Sequence, residues 1–342
     1  MKLHYEKQLI RLVDVMTDNR GLIQHSKGSE PDLNFGYSID DVSRGLVVLA
    51  RTFPRFEDAK AHKVYLDYIK RAQRTDGFFH NFYEAYNGQW NWRAEDSSIL
   101  QDCFGRVIWA LAEFTGSKYP RDERKEAEKI FLEHLDLSQK LRFNASKSFA
   151  LSGLSDYFFR TQDKNAERIA RELAENLAEN FKNHSDKDWR WFADEMTYCN
   201  PRLPHSMIKA GYVLGDKELI NVGKSSLDFL IENSFDESGI FHAIGNKGWF
   251  EKGKIPAKYD QQTVEAGDMV EVCVDACKIS ASEKYKKYAK KAFQWFSGKN
   301  IFRKSMMDSS GGVYDAITEN GINKNQGAES LLSYLLAATK LE

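Results

Sequence analysis

Carboxylates, amides and arginines gather at a few points of this sequence, in combinations that suit carbohydrate chemistry. The stretch YDQQTVEAGD (259–268) crowds Tyr259, Asp260, Gln261, Gln262 and Glu265 into the start of an apolar helical run. Helix capping, with Thr263 satisfying free N–H groups, accounts for one or two of these side chains. The rest need solvent or a ligand. Similar clusters recur: SIDDVSR holds Asp40, Asp41 and Arg44, and WRAEDSSILQDCFGR holds Glu95, Asp96, Asp102 and Arg106. FADEMTYCNPRLP holds Asp194, Glu195, Tyr198, Asn200 and Arg202, and NQGAES holds Asn325 and Glu329. Trp90, Trp92, Trp189, Trp191 and Trp249 stand beside these clusters, with Asn246 just ahead of the last.

An aromatic ring offers an apolar platform to the C–H face of a pyranose, while acids, amides and arginines take its hydroxyls. Glycosidic cleavage needs a protonated acid at the leaving oxygen and a second carboxylate as base or nucleophile. The catalytic candidates are Asp41, Glu195, Asp260 and Asp102. Glu195, between Trp191 and Tyr198, is expected to be desolvated and raised in pKa, as a general acid requires. Asp41 follows Asp40 at a helix start, where the dipole favours the ionised form of a base; Asp260 is the substitute for either role. The remaining candidates bind substrate: Asp40, Arg44, Trp92, Arg106, Trp191, Tyr198, Asn200, Arg202, Asn246, Trp249, Tyr259, Gln261, Gln262, Glu265, Asn325 and Glu329.

What must position these residues is helical. Six prolines in 342 residues leave long stretches with helical periodicity. Amphipathic segments at about 3–17, 56–74, 120–137, 163–183, 216–234 and 283–297 alternate with helices that are apolar on most sides, starting near 40, 102, 148, 204, 265 and 327. Helices of the second kind belong inside, surrounded by the first. Their recurrence every 46–62 residues signals a repeat architecture. Short connections lead from each apolar helix to the next amphipathic one, and long loops lead back, except near 138–146. The long loops therefore fall on one face, at the N-termini of the inner helices, and loops of that length are commonly functional. RGLIQH, DGFFHN, SGIFHA and GGVYDA repeat one tight turn into a short strand. The expected fold is all-α: a single (α/α)6 toroid over 1–342, with the N-terminal helix outside the first inner helix and the last helix closing the ring.

Composition excludes several classes. A net charge of -1 gives no basic excess for nucleic acid. No run of about 18 apolar residues suggests a membrane span, and no uninterrupted apolar N-terminal region suggests a signal peptide. Cys103, Cys199, Cys273 and Cys277 lack zinc-ribbon spacing, so a reduced, cytoplasmic setting is expected. His25, His80, His205 and His242 fall on the loop-bearing face, but no HExxH, P-loop, GxGxxG or GxSxG pattern appears, so no metal or cofactor is expected.

Six motifs carry a resemblance that covers the whole chain: YSIDDVSRGL, DCFGRVIWAL, TYCNPRLPHSMI, GNKGWF, YDQQTVEA and NQGAES. The sequence resembles the six-hairpin glycosidase superfamily, and more closely the helical-toroid proteins found beside or fused to bacterial and archaeal glycosyltransferases. That group has forms like DDNARAL, TYDNARLPxAL, IGNxGWY, FDQQPxEA and NQGAEST. This chain departs from them at Val42 (usually Asn), Cys199 (usually Asp), Pro201 (usually Ala) and Thr263 (usually Pro). The resemblance implies an (α/α)6 toroid, an oligosaccharide substrate and association with a glycosyltransferase. The leading expectation is a glycoside hydrolase using a carboxylate acid/base pair. The alternatives are a sugar epimerase or isomerase, leaning on histidines such as His242, and a non-catalytic glycan-binding partner of a glycosyltransferase.

Overall fold

A computed structural model describes residues 4–58, 60–92 and 95–342. Its principal helices are α1 (Glu6–Ile10, continuing as a π turn over Arg11–Val15), α2 (Ile39–Thr52), α3 (Ala61–Arg71), α4 (Ser97–Thr115), α5 (Arg121–His134) and α6 (Asn144–Thr161). They continue as α7 (Lys164–His184), α8 (Arg202–Leu214), α9 (Lys217–Ser234), α10 (Thr263–Ser280), α11 (Glu283–Gln294) and α12 (Ala328–Leu341). The even-numbered helices pack in a closed circle, α2 on α4, α4 on α6, and so on until α12 returns to α2. The odd-numbered helices α3 to α11 lie outside, each against the inner helix that precedes it. This is the (α/α)6 toroid.

Helix α1 departs from expectation. It packs on α12 rather than α2. Each other outer helix follows its inner partner through a short turn, and only α12 has no successor, so α1 fills the vacant outer place. Bonds between the two ends hold it there: the Tyr5 hydroxyl donates to Glu342 at 2.7 Å, and Ala328 N donates to Gln24 O at 3.0 Å.

The inner circle is tight because two glycines remove side chains at the α4–α6 crossing. A Cβ on Gly105 would fall 2.4 Å from Ser146 O, and one on Gly153 would fall 2.8 Å from Ile108 O. Caps fix where helices start: Ser38 accepts from Asp40 N, and Asp96 from Ser98 N and Ile99 N. Left-handed residues end α6, α8 and α10 at Gln162, Gly215 and Ala281, which lets the next outer helix begin after two residues.

Short antiparallel pairs tie the long loops together. Tyr37–Ser38 pairs with Phe82–Glu84, Glu195–Met196 with Phe250–Glu251, and Gln261–Gln262 with Ala316–Thr318. The repeated turn is present in four loops, as the bridges Thr17↔Leu22, Gln73↔Phe79, Phe235↔Phe241 and Met307↔Val313. No helix among the described residues is long and apolar enough to cross a membrane.

Candidate active site

Charged residues enter the interior of the toroid from the N-terminal halves of its inner helices. On α2, Asp41 is 3% exposed, and the Arg44 guanidinium reaches it at 3.5 Å and Glu329 of α12 at 3.2 Å. On α4, Arg106 donates to Asp40 at 3.4 Å and approaches the Cys199 sulfur at 3.7 Å, with its guanidinium over the Phe149 ring. Asp102, one turn earlier on the same helix, accepts from the Ser146 hydroxyl of α6. On α10, Glu265 is 5% exposed and accepts from the Asn200 backbone and side chain, both at 3.3 Å.

Burial is the largest influence on the protonation of these carboxyls. Burial lifts Asp41 to about 8, with Glu329 and Asp40 adding to the push and Arg44 opposing it. Burial also lifts Glu265 to about 8, helped by the charge of Asp268 and opposed by the N–H groups of Asn200 and Cys199. Asp102 is raised by burial too, against Arg106 and the Ser146 hydroxyl. Burial pushes the Cys199 thiol to about 12, so it stays protonated. Three carboxyls from three inner helices thus hold protons more tightly than exposed carboxylates do, Asp41 and Glu265 far more so.

A cavity of about 250 Å³ opens beside them, between the starts of α4 and α6 and the loop before α8. Asp102, Trp191, Glu195, Tyr198, Cys199 and Asn200 are on its wall. It brings together two expected catalytic acids and three expected binding residues. The four catalytic candidates and Glu329 do not share one cavity. Asp102 and Glu195 share this one, Asp41 and Glu329 meet through Arg44, and Asp260 is half-buried in the loop before α10.

Several sequence expectations need correction. Glu195 is exposed: it pairs with Glu251 across two short strands, and the alternation that turns Met196 inward turns Glu195 out. Its expected desolvation is therefore absent. Asp41, expected to favour its ionised form, is raised by burial, against the nearby Arg44 charge. Gln261 is wholly buried, accepting from the Trp295 indole at 3.3 Å and donating to Lys258 O, which leaves it no sugar to meet. Gln262 takes the cap position of α10 without a side-chain bond, so Thr263 is the first helical residue and caps nothing.

Arg202 reaches inward to Asp268 at 2.5 Å and Glu271 at 2.7 Å, beneath the mouth rather than in it. His205 also leaves the loop face, pairing with Asp275 at 2.7 Å. Asn325 accepts from Gly28 N and so ties two loops. Trp189 and Trp191 are buried plugs, Trp191 still edging the cavity, whereas Trp92 is 65% exposed. Trp249, Tyr259 and Asn246 are half-buried in the 235–262 loop, where Asn246 N donates to Asp260 O at 3.0 Å.

The sequence reading missed Asp268 and Glu271. The signal was present: Glu265, Asp268 and Glu271 recur every three residues on an otherwise apolar helix, which puts all three on one inward stripe. Histidine contributes little here. Among the described residues none pairs with Asp41, Asp102 or Glu265, and His242 sits half-buried near Asp236 and Lys258, its pKa lowered by burial.

No protein-family model matches the chain, and no curated protein matches it by sequence. Solved structures do match over nearly the whole length. A D-mannose isomerase superposes with a TM-score of 0.76 at 13% identity, covering 99% of this chain and 96% of the other. The cellobiose 2-epimerase of Bacillus thermoamylovorans B4167 gives 0.73 at 10% identity, covering 99% and 98%. The fold is theirs. A GH76 alpha-mannanase of Bacteroides thetaiotaomicron shares it as well, at 0.68 and 9% identity, covering 98% and 93%. At such identities the likeness concerns the six-hairpin toroid itself, common to sugar epimerases, isomerases and glycosidases.

Proposed function

We propose that this chain is a carbohydrate-active enzyme working at the N-terminal mouth of the toroid, and that its reaction is the isomerisation or epimerisation of a sugar. The observation that carries this reading is the similar, raised proton affinity of Asp41 and Glu265, both at about 8, together with Asp102, which burial also raises and which stands on the cavity wall. Moving a proton between carbons next to a carbonyl is reversible and needs groups that give and take protons near neutral pH. Carboxyls of matched affinity suit that task. A hydrolase instead separates its pair, one acid protonated and one ionised. In the proposed reaction the Asp102 carboxylate takes the proton from the carbon next to the carbonyl and gives it back to carbon in the product. Arg106, which reaches the Cys199 sulfur on the cavity wall, stabilises the enediolate charge in between, and Asp41 and Glu265 set the proton affinity of the mouth.

Two further facts support it. A cavity of about 250 Å³ fits one sugar ring better than a chain of them. The whole-length likeness to a D-mannose isomerase and a cellobiose 2-epimerase points the same way. A second reading, glycoside hydrolysis, is favoured by one observation: Asp102 and Glu195 share a cavity and come from separate elements. Association with a glycosyltransferase rests on the sequence resemblance alone.

The test is incubation with mannose, glucose and cellobiose in deuterated water. Solvent deuterium bonded to carbon in the product sugar supports isomerisation or epimerisation. Release of new reducing ends from mannooligosaccharides, abolished by Glu195→Gln, supports hydrolysis instead. Saturable glycan binding with neither outcome favours the non-catalytic partner.

A further inference from the structure

The opposite mouth of the toroid, where the inner helices end, holds a larger cavity of about 530 Å³, and a groove of about 370 Å³ opens beside it. Gly116 and Arg160 line both. In the cavity Lys209 holds Asp156 at 2.5 Å, Lys340 holds Asp275 at 2.7 Å and Arg51 holds Glu113 at 2.7 Å, which leaves Lys278 and Arg160 with no acid to match them. The groove is more lopsided. Arg121, Arg124, Lys125 and Arg160 face a single acid, Glu128, whose carboxylate accepts from the Tyr157 hydroxyl at 2.9 Å. Among the described residues none of these four cations pairs with a carboxylate, in a chain whose net charge is -1.

Cations near helix C-termini have an ordinary purpose, since they satisfy the last carbonyls and offset the negative end of the dipole. Arg160 donates to Ala112 O and the Thr115 hydroxyl, both at 2.6 Å, and Arg124 donates to Tyr119 O at 2.9 Å and Thr115 O at 3.3 Å. That accounts for part of two guanidiniums. It does not account for Arg121 and Lys125, like charges one turn apart at the positive end of α5, where both their mutual repulsion and the dipole oppose them. The acids of the same helix go elsewhere. Asp122, Glu123 and Glu126 line a separate groove toward α3, where Glu123 meets Lys63 and Glu126 meets Lys70. The cations gather on the α6 side, and Gly116 makes room for one of them. Its backbone is in the right-handed region open to any residue, yet a Cβ there would lie 2.7 Å from Arg160 Cζ.

We propose that this groove seats the phosphate group of a small phosphate ester, whose remaining part extends into the larger cavity. A phosphate dianion carries three terminal oxygens and two charges, which one cation cannot satisfy and several can. The donors to meet it are unused: Arg160 keeps its Nε and Nη1 hydrogens, Arg124 keeps those of Nη2, and Arg121 and Lys125 keep all of theirs. A single carboxylate would leave most of them unmet. Past Arg160, Phe159 of α6 and Tyr212 of α8 stand at the rim of the larger cavity, 59% and 54% exposed, and give apolar surface to the rest of the ligand. Both volumes lie within the range of small-molecule sites. The site stands apart from the chemistry proposed for the other mouth and does not depend on it.

The experiment is a phosphorus NMR titration of the intact chain at fixed ionic strength, with glucose 6-phosphate and inorganic phosphate as probes, comparing wild type with the double variant Arg121→Ala/Lys125→Ala. Both residues are exposed and bond to no other group among the described residues, so the double variant keeps the fold. The expected result is saturable binding of glucose 6-phosphate, tighter than that of inorganic phosphate and weakened about tenfold in the double variant. Gly116→Ala, which displaces Arg160 without changing the charge, is expected to weaken the same binding. Lys286→Ala/Lys290→Ala removes two exposed cations from α11 instead and is expected to bind as wild type does. Equal losses in the α5 and α11 variants overturn the proposal, since they mean unspecific attraction to charge. The absence of binding for both probes overturns it too, and inorganic phosphate that binds as tightly as the ester overturns the extension into the larger cavity. A wild type that turns over no sugar yet loses ester binding with the α5 cations keeps this site and removes the isomerase reading.

Discussion

The two mouths of the toroid are built from the same kinds of residue and use them in opposite ways. At the N-terminal mouth the cations stand off from their acids, Arg44 at 3.5 Å from Asp41 and Arg106 at 3.4 Å from Asp40. At the C-terminal mouth they close in, to 2.5 Å between Lys209 and Asp156 and 2.7 Å between Arg51 and Glu113. Protonation follows the geometry. Burial wins at the first mouth and carries Asp41 and Glu265 to about 8. Against the same burial, Arg51 and Arg202 pull Glu271 down to about 2, and Arg51 and Lys209 hold Glu113 below the usual range. Asp156 is the exception at this end: burial raises it despite Lys209, with the Glu113 charge adding to the effect. One mouth is arranged so that protons can move, the other so that charge stays fixed.

The sharpest way to break this comparison is to neutralise a carboxyl at each end. Asp102→Asn is expected to lower turnover by about a hundred- to ten-thousand-fold with folding intact, the usual cost of losing a proton-transfer group. Asp275→Asn, at the other mouth, is expected to leave kcat unchanged. Initial-rate measurements on both variants decide it, and equal losses would remove the distinction between the mouths.

Stability should show the reverse pattern. Arg51→Met strands the buried carboxylate Glu113 and leaves Glu271 with Arg202 alone, and is expected to cost about 3–5 kcal/mol, read from urea denaturation. The pH dependence separates the two ends further. In the folded chain Asp41 and Glu265 keep their protons up to about pH 8, whereas in the unfolded chain they lose them near pH 4. The folded state therefore binds more protons in that window, and stability falls as pH rises from about 4 to 8. Asp41→Asn should flatten that slope. Glu271 has the opposite sign: its contribution is complete above about pH 4.5 and is lost as pH falls toward 2, so Glu271→Gln should flatten the acid limb.

The ring was legible because a helix buried on all sides leaves an apolar run, and such runs recur at a steady period. The place of α1 was not, because nothing local in residues 6–15 says that their partner lies more than 300 positions away. The repeated turns were seen as glycine motifs, yet the aspartate ahead of each went unread. Asp18, Asp76, Asp236 and Asp308 each accept backbone N–H bonds within the turn and fix its geometry. At the site, residue type was a better guide than residue role. Asp41, Asp102 and Glu265 were found from their places at helix starts, but whether burial or a cation wins at each depends on contacts from other helices. Gln261 shows the limit: its amide reads as a sugar ligand until Trp295, 34 residues on, is seen to occupy it.

The smallest effect expected comes from Cys199, where the group that the sequence resembles has aspartate. Its sulfur lies 3.7 Å from Arg106, and Arg106 also serves Asp40 and faces Asp102. Cys199→Asp places a carboxylate where a protonated thiol now sits. The residue has φ of 52°, a conformation that aspartate tolerates better than most side chains, so the backbone need not move. The new anion gains Arg106 as partner and draws it from Asp40, which makes this corner of the N-terminal mouth resemble the C-terminal one. Glu265, whose pKa already responds to the backbone N–H of Cys199, gains a like charge nearby. Its proton affinity is expected to rise by about one unit. The alkaline limb of the pH–rate profile should then move upward by that amount, with a change in stability of about 1 kcal/mol or less. A limb that does not move would mean that Glu265 lies outside the set of groups whose protonation controls turnover, leaving Asp41 and Asp102 in it.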